Sequence, residues 1–590
     1  MTISHIDNTD DNDAKIKNEN EIINNINDYF KHPIWYDSKK KLINPDIKQD
    51  LELIETIHDD NTPIYNQIFK PSNIFTTEII KSSSDYYTTN TQFLKDTQYF
   101  LKKFKPITSS YDLNKIKDTI LEIKTDNGFI EKYHYIDWEY WKFLNNSPAF
   151  LQLMSIYNLI SPVISLLIPL FILIIPFFII KIKGIPINVS EYVVVLRSVA
   201  SNNAIGKLFT DFNSVDTSRK IYLIVSSAFY IFSIYQNILV CIRFHENMRK
   251  IHTYIETIVE YLDFSIKQIE NFLSHANQYK SYFEFNLIAQ NKLQHLKNLK
   301  IQLQEITPYK LSFFKIKEMG TILKQFYDIY CDSDIHETLL YSFGFCGYIE
   351  SMCELQSLSK RKKISFARIN KKGKNKFKKV YYPPLMDGTP IKNDYDFKKN
   401  NIITGPNASG KTTILKTILI NIILTQQFGC GFYSSANYTP YDYIHCYLNI
   451  PDTSGRDSLF QSETRKCNEI IKIINKNNKK NRHFCAFDEL YSGTNPEEAT
   501  KCGYAFLLYL SKIHNVHFSL TTHYLKICHK MDNIKNIDNY QMAVKINSDD
   551  DIEYTYTIEK GITNVNGGVE VLKQMNYPLE IMNTIKLADL

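Results

Sequence analysis

Gly405-Pro406-Asn407-Ala408-Ser409-Gly410-Lys411-Thr412 has the form GxxxxGK[ST], with apolar Ile402-Ile403 before it and Ile414, Leu415, Ile418 and Leu419 after it. The pattern demands a buried strand entering a tight turn and a helix leaving it, which is the local geometry of a phosphate-binding P-loop. Glycines at both ends of the turn let successive backbone N–H groups converge, and the helix beginning near Lys411 adds its positive dipole end. Lys411 is expected to reach terminal phosphates, and Thr412 to offer a hydroxyl to a divalent cation. The nucleotide-binding candidates run without a gap from Gly405 to Thr413, and therefore include Pro406, Asn407, Ala408, Ser409 and Gly410.

Downstream, His483-Phe484-Cys485-Ala486-Phe487-Asp488-Glu489 reads as an apolar strand ending in two acids. Beside a P-loop, an Asp in that place can hold a Mg²⁺ shell, and the Glu after it can orient an attacking water. A further strand, Val516 to Thr522, delivers His523, which is placed to hydrogen-bond a terminal phosphate. One such acid pair alone would suggest only a helix cap, but three ordered elements suggest a site.

With these residues in view, the segment resembles the ATPase domain of the MutS mismatch-repair family. Gly405 to Thr412 is similar to its GPNxxGK[ST] loop, with Ala408 and Ser409 where the family usually has Met and Gly. Ser454 to Glu463 resembles SGxSTFxxEM, Asp488 to Thr494 resembles DEIGRGT, and Thr521-Thr522-His523-Tyr524 resembles ATHY. Tyr382-Pro383-Pro384-Leu385 and Asn393-Asp394 stand where the family has HPxL and ND elements. Gly561, Gly567-Gly568, Val571-Leu572 and Pro578 resemble its closing segment. The match covers roughly residues 380 to 590.

The resemblance implies an α/β P-loop NTPase of the ABC/MutS type binding ATP and Mg²⁺. It implies Thr412 and Asp488 as metal ligands, and Glu489, Lys411 and His523 as catalytic residues. It also implies a homodimer or heterodimer through paired ATPase domains, with Ser458 reaching a nucleotide held by the partner, and mismatched DNA as the ligand. An ABC transporter would instead carry an LSGGQ-like run just before the Asp488 strand, where Asn475 to Arg482 is basic and Asn-rich.

A chain of 590 residues has room for more than this domain, and its 44% hydrophobic content supports a sizeable core. The ten cysteines form no CxxC pair or Cys/His cluster, so neither a zinc site nor a disulfide framework is expected. Residues 1–28 are acidic and polar, and are expected to be disordered. Residues 29–150 read as mainly helical, with Thr91 to Phe104 amphipathic. Phe129-Ile130-Glu131 has the Phe-x-Glu form with which the family reads mismatches, but in a chain with 36 Phe one such triplet is expected by chance.

Within residues 151–243, Leu159 to Ile180 and Ile221 to Ile242 carry no charge, and each exceeds the roughly 20 residues needed to cross a bilayer core. A transmembrane hairpin is expected, with the ATPase domain on the cytosolic side because that is where ATP is. The loop 181–220 is basic (Lys181, Lys183, Arg197, Lys207, Arg219, Lys220), against the positive-inside tendency. Residues 244–359 read as a helical lever or core region, in which Ile251, Ile255, Ile258 and Leu262 mark one face and Gly344 and Gly347 suggest a turn.

The resemblance implies that residues 360–590 form a MutS-like ATPase domain. It opens with Lys360 to Lys379, which holds eleven Lys or Arg and no acid and alternates like two strands around Lys372-Gly373-Lys374. DNA phosphates or anionic headgroups are the partners such a segment could take. Three functions fit the whole pattern: mismatch recognition coupled to ATP, a membrane-anchored mechanoenzyme, and a nucleotide-gated scaffold.

Overall fold

The computed structural model describes residues 25–590 except 59, 108–110, 127, 185–187, 201–215, 311–312, 374, 449–457, 477–480, 547–551, 564, 566–571, 573–574, 576, 579, 582–583 and 586–590. The acidic stretch 1–24 and residues Ser454 to Asp457 therefore lie outside the described residues, as do Gly567-Gly568. The chain divides into two compact units, one formed by 110–266 and 294–339, the other by 20–109, 267–293 and 340–590.

The first unit is helical. Pro148–Ile182 is one 35-residue helix that runs through Pro162, Pro169 and Pro176. The second apolar run lies inside the 60-residue helix Thr217–Ala276, about 90 Å long. The expected boundary near residue 243 is thus no break in the backbone. In this helix the large side chains of Ile221, Ile224, Phe229 and Phe232 are exposed, whereas Ile251, Ile255, Ile258 and Leu262 are buried along one face. Both helices are long and apolar enough to cross a membrane by length and composition. They meet through polar groups: Tyr230 Oη donates to Ser165 O at 2.6 Å and Asn237 Nδ2 to Ser165 Oγ at 2.5 Å. Between them lies the helix Val189–Ala200.

In the second unit the N-terminal segment pairs β1 (Lys40–Leu42) with β2 (Tyr86–Thr88). The expected amphipathic helix forms over Thr91–Lys103, capped by the Asn90 side chain. The helix Ser333–Lys360 is continuous, so Gly344 and Gly347 mark no turn. A Cβ at Gly344 would lie 2.5 Å from Phe30 Cβ, and one at Gly347 would lie 3.0 Å from Thr76 Cα, so these glycines admit the N-terminal segment to the helix surface.

The strands β3 (Ser365–Ile369), β4 (Lys376–Val380), β5 (Asn393–Asp396), β6 (Asn400–Thr404), β7 (Cys430–Gly431), β8 (Ser435–Tyr438), β9 (Tyr443–Tyr447), β10 (His483–Asp488), β11 (Val516–Thr521), β12 (Ile537–Ile546) and β13 (Ile552–Lys560) make two sheets. One has the order β13-β12-β6-β11-β10-β9, parallel except for β13, and the other the order β5-β4-β8-β3-β7. The expected strands on either side of Lys372 both form, but β8 lies between them. Its inward Ala436 and Tyr438 continue the apolar face made by Ala367, Ile369 and Phe377, which is why it fits there.

The parallel sheet surrounds a core of Ile402, Cys485, Phe487, Leu507, Phe518, Leu520 and Ile527. Helices cover its faces, and the carboxyl ends of the central strands carry the loops described next, as open α/β sheets place their ligand sites.

Candidate functional site

β6 is buried along its whole length and feeds directly into the Gly405 turn, and the helix Lys411–Phe428 leaves it. Gly410 takes φ +91° and Ala408 φ +61°, so the turn relies on left-handed backbone at two positions and only one of them is glycine. Pro406 and Ser409 are buried, whereas Asn407, Thr412 and Thr413 are exposed.

Lys411 is buried, and its Nζ donates to Gly405 O and Pro406 O at 3.1 Å each. It also lies 3.1 Å from His523 Nε2. Burial pushes the ammonium pKa down, against the pull of Glu489 and Asp488.

Parallel pairing sets Asp488, the last residue of β10, opposite Thr521 of β11. Its carboxylate accepts from Thr412 Oγ1 at 2.7 Å and from Thr521 Oγ1. Burial raises its pKa, while the two hydroxyl donors oppose the rise. Glu489 follows with φ +50°, a left-handed conformation that costs about 1–3 kcal/mol in a non-glycine residue and clusters at functional sites. Its Oε1 lies 2.9 Å from His523 Nε2, and this hydrogen bond, with the charges of His523 and Lys411, holds the carboxyl below its usual range against burial.

Lys411, Thr412, Asp488, Glu489 and His523, which span 112 positions in sequence from Lys411 to His523, thus converge at one end of the sheet. Two oxygens 2.7 Å apart, one hydroxyl and one carboxylate, suit adjacent positions in an octahedral Mg²⁺ shell, where ligand oxygens stand about 2.9 Å apart. Among the described residues there is no group of three or more His, Cys, Asp or Glu able to hold a metal alone.

Ser458 lies outside this cluster. It is exposed at the start of the helix Leu459–Lys476, where its Oγ accepts from Gln461 N at 3.3 Å while Gln461 Oε1 accepts from Ser458 N at 3.0 Å.

A cleft of about 590 Å³ adjoins the P-loop, lined among others by Tyr382, Ile391, Asn407, Thr413, Glu489 and Tyr556. The sequence gives no hint of Tyr556, since it comes from β13, far along the chain. Asn393 secures that strand, its Nδ2 donating to Tyr556 O at 3.1 Å and its Oδ1 accepting from Ile558 N at 2.9 Å. Glu463 is the other residue whose role sequence reasoning missed. Buried at 2% exposure, it accepts from Ser492 N, Ser492 Oγ and Gly493 N at 2.9–3.1 Å, and so ties the signature helix to the loop after Glu489. An acid on the inner face of an amphipathic helix was the available signal.

Residues 401–588 match the family model for MutS domain V. The chain carries a MutS domain V. Similar proteins include the DNA mismatch repair protein MutS of Prochlorococcus marinus (strain AS9601), 28% identical over 206 residues, covering 34% of this chain and 22% of that protein. MutS protein homolog 4 of Mus musculus is 33% identical over 192 residues, covering 31% and 19%. Endonuclease MutS2 of Staphylococcus aureus (strain bovine RF122 / ET3-1) is 26% identical over 213 residues, covering 35% and 26%. The chain thus spans about a fifth to a quarter of the length of these relatives, and the similarity is confined to the C-terminal part that holds the MutS domain V. Phe129 lies outside it. Its ring is 1% exposed and stacks on Tyr330 at 3.7 Å within a cluster that includes Tyr133, Tyr135 and Phe326, so it is a core residue with no face free for a base.

Proposed function

We propose that the chain is a magnesium-dependent MutS-type ATPase that works as a dimer. The observation that carries this reading is the Thr412 hydroxyl on the Asp488 carboxylate at 2.7 Å, which joins the P-loop helix to the end of β10 at the place where a phosphate-bound cation would sit. Mg²⁺ would neutralise charge on the bound phosphates, with Thr412 and Asp488 as its protein ligands. The backbone from Gly405 to Gly410 cradles ATP phosphates, and Asn407 and Thr413 face the cleft. Lys411 exchanges its carbonyl partners for phosphate oxygens, Glu489 orients the water, and His523 donates to the terminal phosphate. Ser458, exposed at its helix start, completes the site of a homotypic or heterotypic partner. Thr412→Val keeps the side chain's shape and removes the oxygen. Mg²⁺-dependent phosphate release is expected to fall on the order of 100-fold, the equivalent of about 2.7 kcal/mol. Unchanged release would exclude Thr412 as a ligand, and no release from the unmodified chain would leave a nucleotide-gated scaffold.

The relatives named for DNA mismatch repair make mismatched DNA one object for this cycle. The exposed apolar helices favour a second: a membrane-anchored mechanoenzyme whose ATPase domain faces the cytosol. Side chains such as Ile221, Ile224, Phe229 and Phe232 standing in water would forfeit the burial that normally stabilises a core, at about 25 cal/mol per Å². The Tyr230 and Asn237 contacts to Ser165 are polar links of the kind that hold membrane helices together. Carbonate extraction is expected to leave the full chain in the membrane pellet, and the chain is expected to bind heteroduplex and homoduplex DNA alike. Release into the supernatant with a preference for heteroduplex would reverse the choice.

A further inference from the structure

The outer face of the five-stranded sheet is basic and open. In-register pairing sets Arg368 of β3 beside Asn437 of β8, and Asn437 beside Lys376 of β4. Lys378 pairs with Ser435 one step along, about 6.8 Å away on the same face. Arg368, Lys378, Asn437 and Ser435 are exposed, as are Lys371 and Lys372 in the connection between β3 and β4. Two acids of β5 close this row: Asp396, 3.7 Å from Lys376, and the exposed Asp394, whose Oδ1 accepts from Lys379 N at 2.8 Å. Among the described residues, no ion pair engages Arg368, Lys371, Lys372 or Lys378. Lys102, from the helix Thr91–Lys103, adds a further charge with its Nζ 4.6 Å from the Phe366 ring centroid.

We propose that this sheet face docks on anionic lipid headgroups. Its cations outnumber the two acids, Asp394 and Asp396, and are spread along two strands and the connection between them, which complements a leaflet of like-charged groups and not a single compact anion. Its cations are mostly lysines, mobile point charges suited to a fluid headgroup layer, where the fixed fork of arginine suits discrete phosphates. Single-stranded nucleic acid is disfavoured because such sites stack bases on open aromatic rings, whereas Phe366 is half-buried and roofed by Lys102. The inference deepens the membrane reading above and rests on it for the nearness of a leaflet, but not on nucleotide chemistry.

The test separates anchoring from headgroup capture. The full chain is held in a nanodisc of phosphatidylcholine and mixed with vesicles containing either phosphatidylcholine alone or 30% phosphatidylserine. Co-sedimentation with the anionic vesicles only is expected in low salt, with release near 0.5 M KCl as screening shortens the reach of the charges. Replacing Arg368, Lys371, Lys372 and Lys378 together by Gln is expected to weaken capture roughly fivefold per residue, so on the order of several hundredfold. ATP binding measured on the same variant checks that the domain is folded. Equal capture by the variant, capture by neutral vesicles, or preferential capture of a 40-base-pair duplex in competition with the anionic vesicles would each overturn the proposal. If the chain does not insert in a nanodisc, the membrane reading fails, and the same vesicle assay on the soluble chain still tests this face.

Discussion

Glu489→Gln is expected to bind ATP as tightly as the unmodified chain and to hydrolyse it between about 10² and 10⁴ times more slowly, the range a positioned general base contributes. The substitution keeps the shape and one oxygen that can accept from His523, which meets Glu489 at 2.9 Å, while it turns the other oxygen into an amide donor and removes the charge. That charge is what the site maintains, because the His523 hydrogen bond and the nearby cations hold the carboxyl ionised despite its burial. If two copies close over ATP as proposed, blocked hydrolysis leaves the closed dimer no route back, and light scattering is expected to show ATP-dependent dimers that persist. Single-turnover phosphate release is the deciding measurement. An unchanged rate would remove Glu489 from the water's path and leave its left-handed backbone without a catalytic explanation.

The convergence of the candidate site was legible because its residues lie in short stretches. Gly405 to Thr412 carries its own turn, and Asp488-Glu489 and His523 each end an apolar strand, so parallel pairing had to bring their carboxyl ends together. What could not be read depended on partners distant in the chain. The segments around Lys372 look like neighbours in sequence, yet β8 separates them because its apolar residues complete their inner face. Gly344 looked like punctuation, and it is instead a place where Phe30 presses against a helix. Phe129 had a local pattern shared with base-reading phenylalanines, and only the packing of Tyr330 and Phe326 shows that it is core. The two apolar runs were plain from composition, but the merging of the second into a 60-residue helix was not, since charge changes along it while helical periodicity does not.

The N-terminal segment offers the second large effect, at Gln426 and Gln427. These residues end the helix that begins at the P-loop, and both are buried with their amides fully engaged. Gln426 Oε1 accepts from Tyr438 Oη at 2.6 Å and Tyr441 N at 2.9 Å, while its Nε2 donates to Thr88 O at 3.2 Å and Tyr441 O at 2.9 Å. Gln427 Oε1 accepts from Tyr65 Oη at 2.6 Å, and its Nε2 donates to Ser83 O and Tyr86 O at 2.9 Å each. Gln98 returns the connection from the other side, donating to Gly429 O at 2.6 Å and Ala367 O at 2.8 Å. Residues from 65 to 98 are therefore bonded into the interior of the MutS domain V. Gln426→Leu fills the same space and leaves two donors and two acceptors unpaired, each costing about 1–3 kcal/mol where water cannot reach. Even if half of that relaxes away, about 4 kcal/mol is a large share of the 5–15 kcal/mol by which domains are stable. The unfolding midpoint of the unit that holds the MutS domain V is expected to drop by roughly 5–10 °C, and the bonds around Thr88 and Tyr65 are expected to open to protease. Lys416→Ala removes only the 3.8 Å pair with Glu52 and is expected to cost less than about 1 kcal/mol. If Gln426→Leu melts with the unmodified chain, the N-terminal segment rests on this domain without stabilising it. If it melts early while Lys416→Ala does not, the buried amides couple residues 65–98 to the helix that leaves the P-loop.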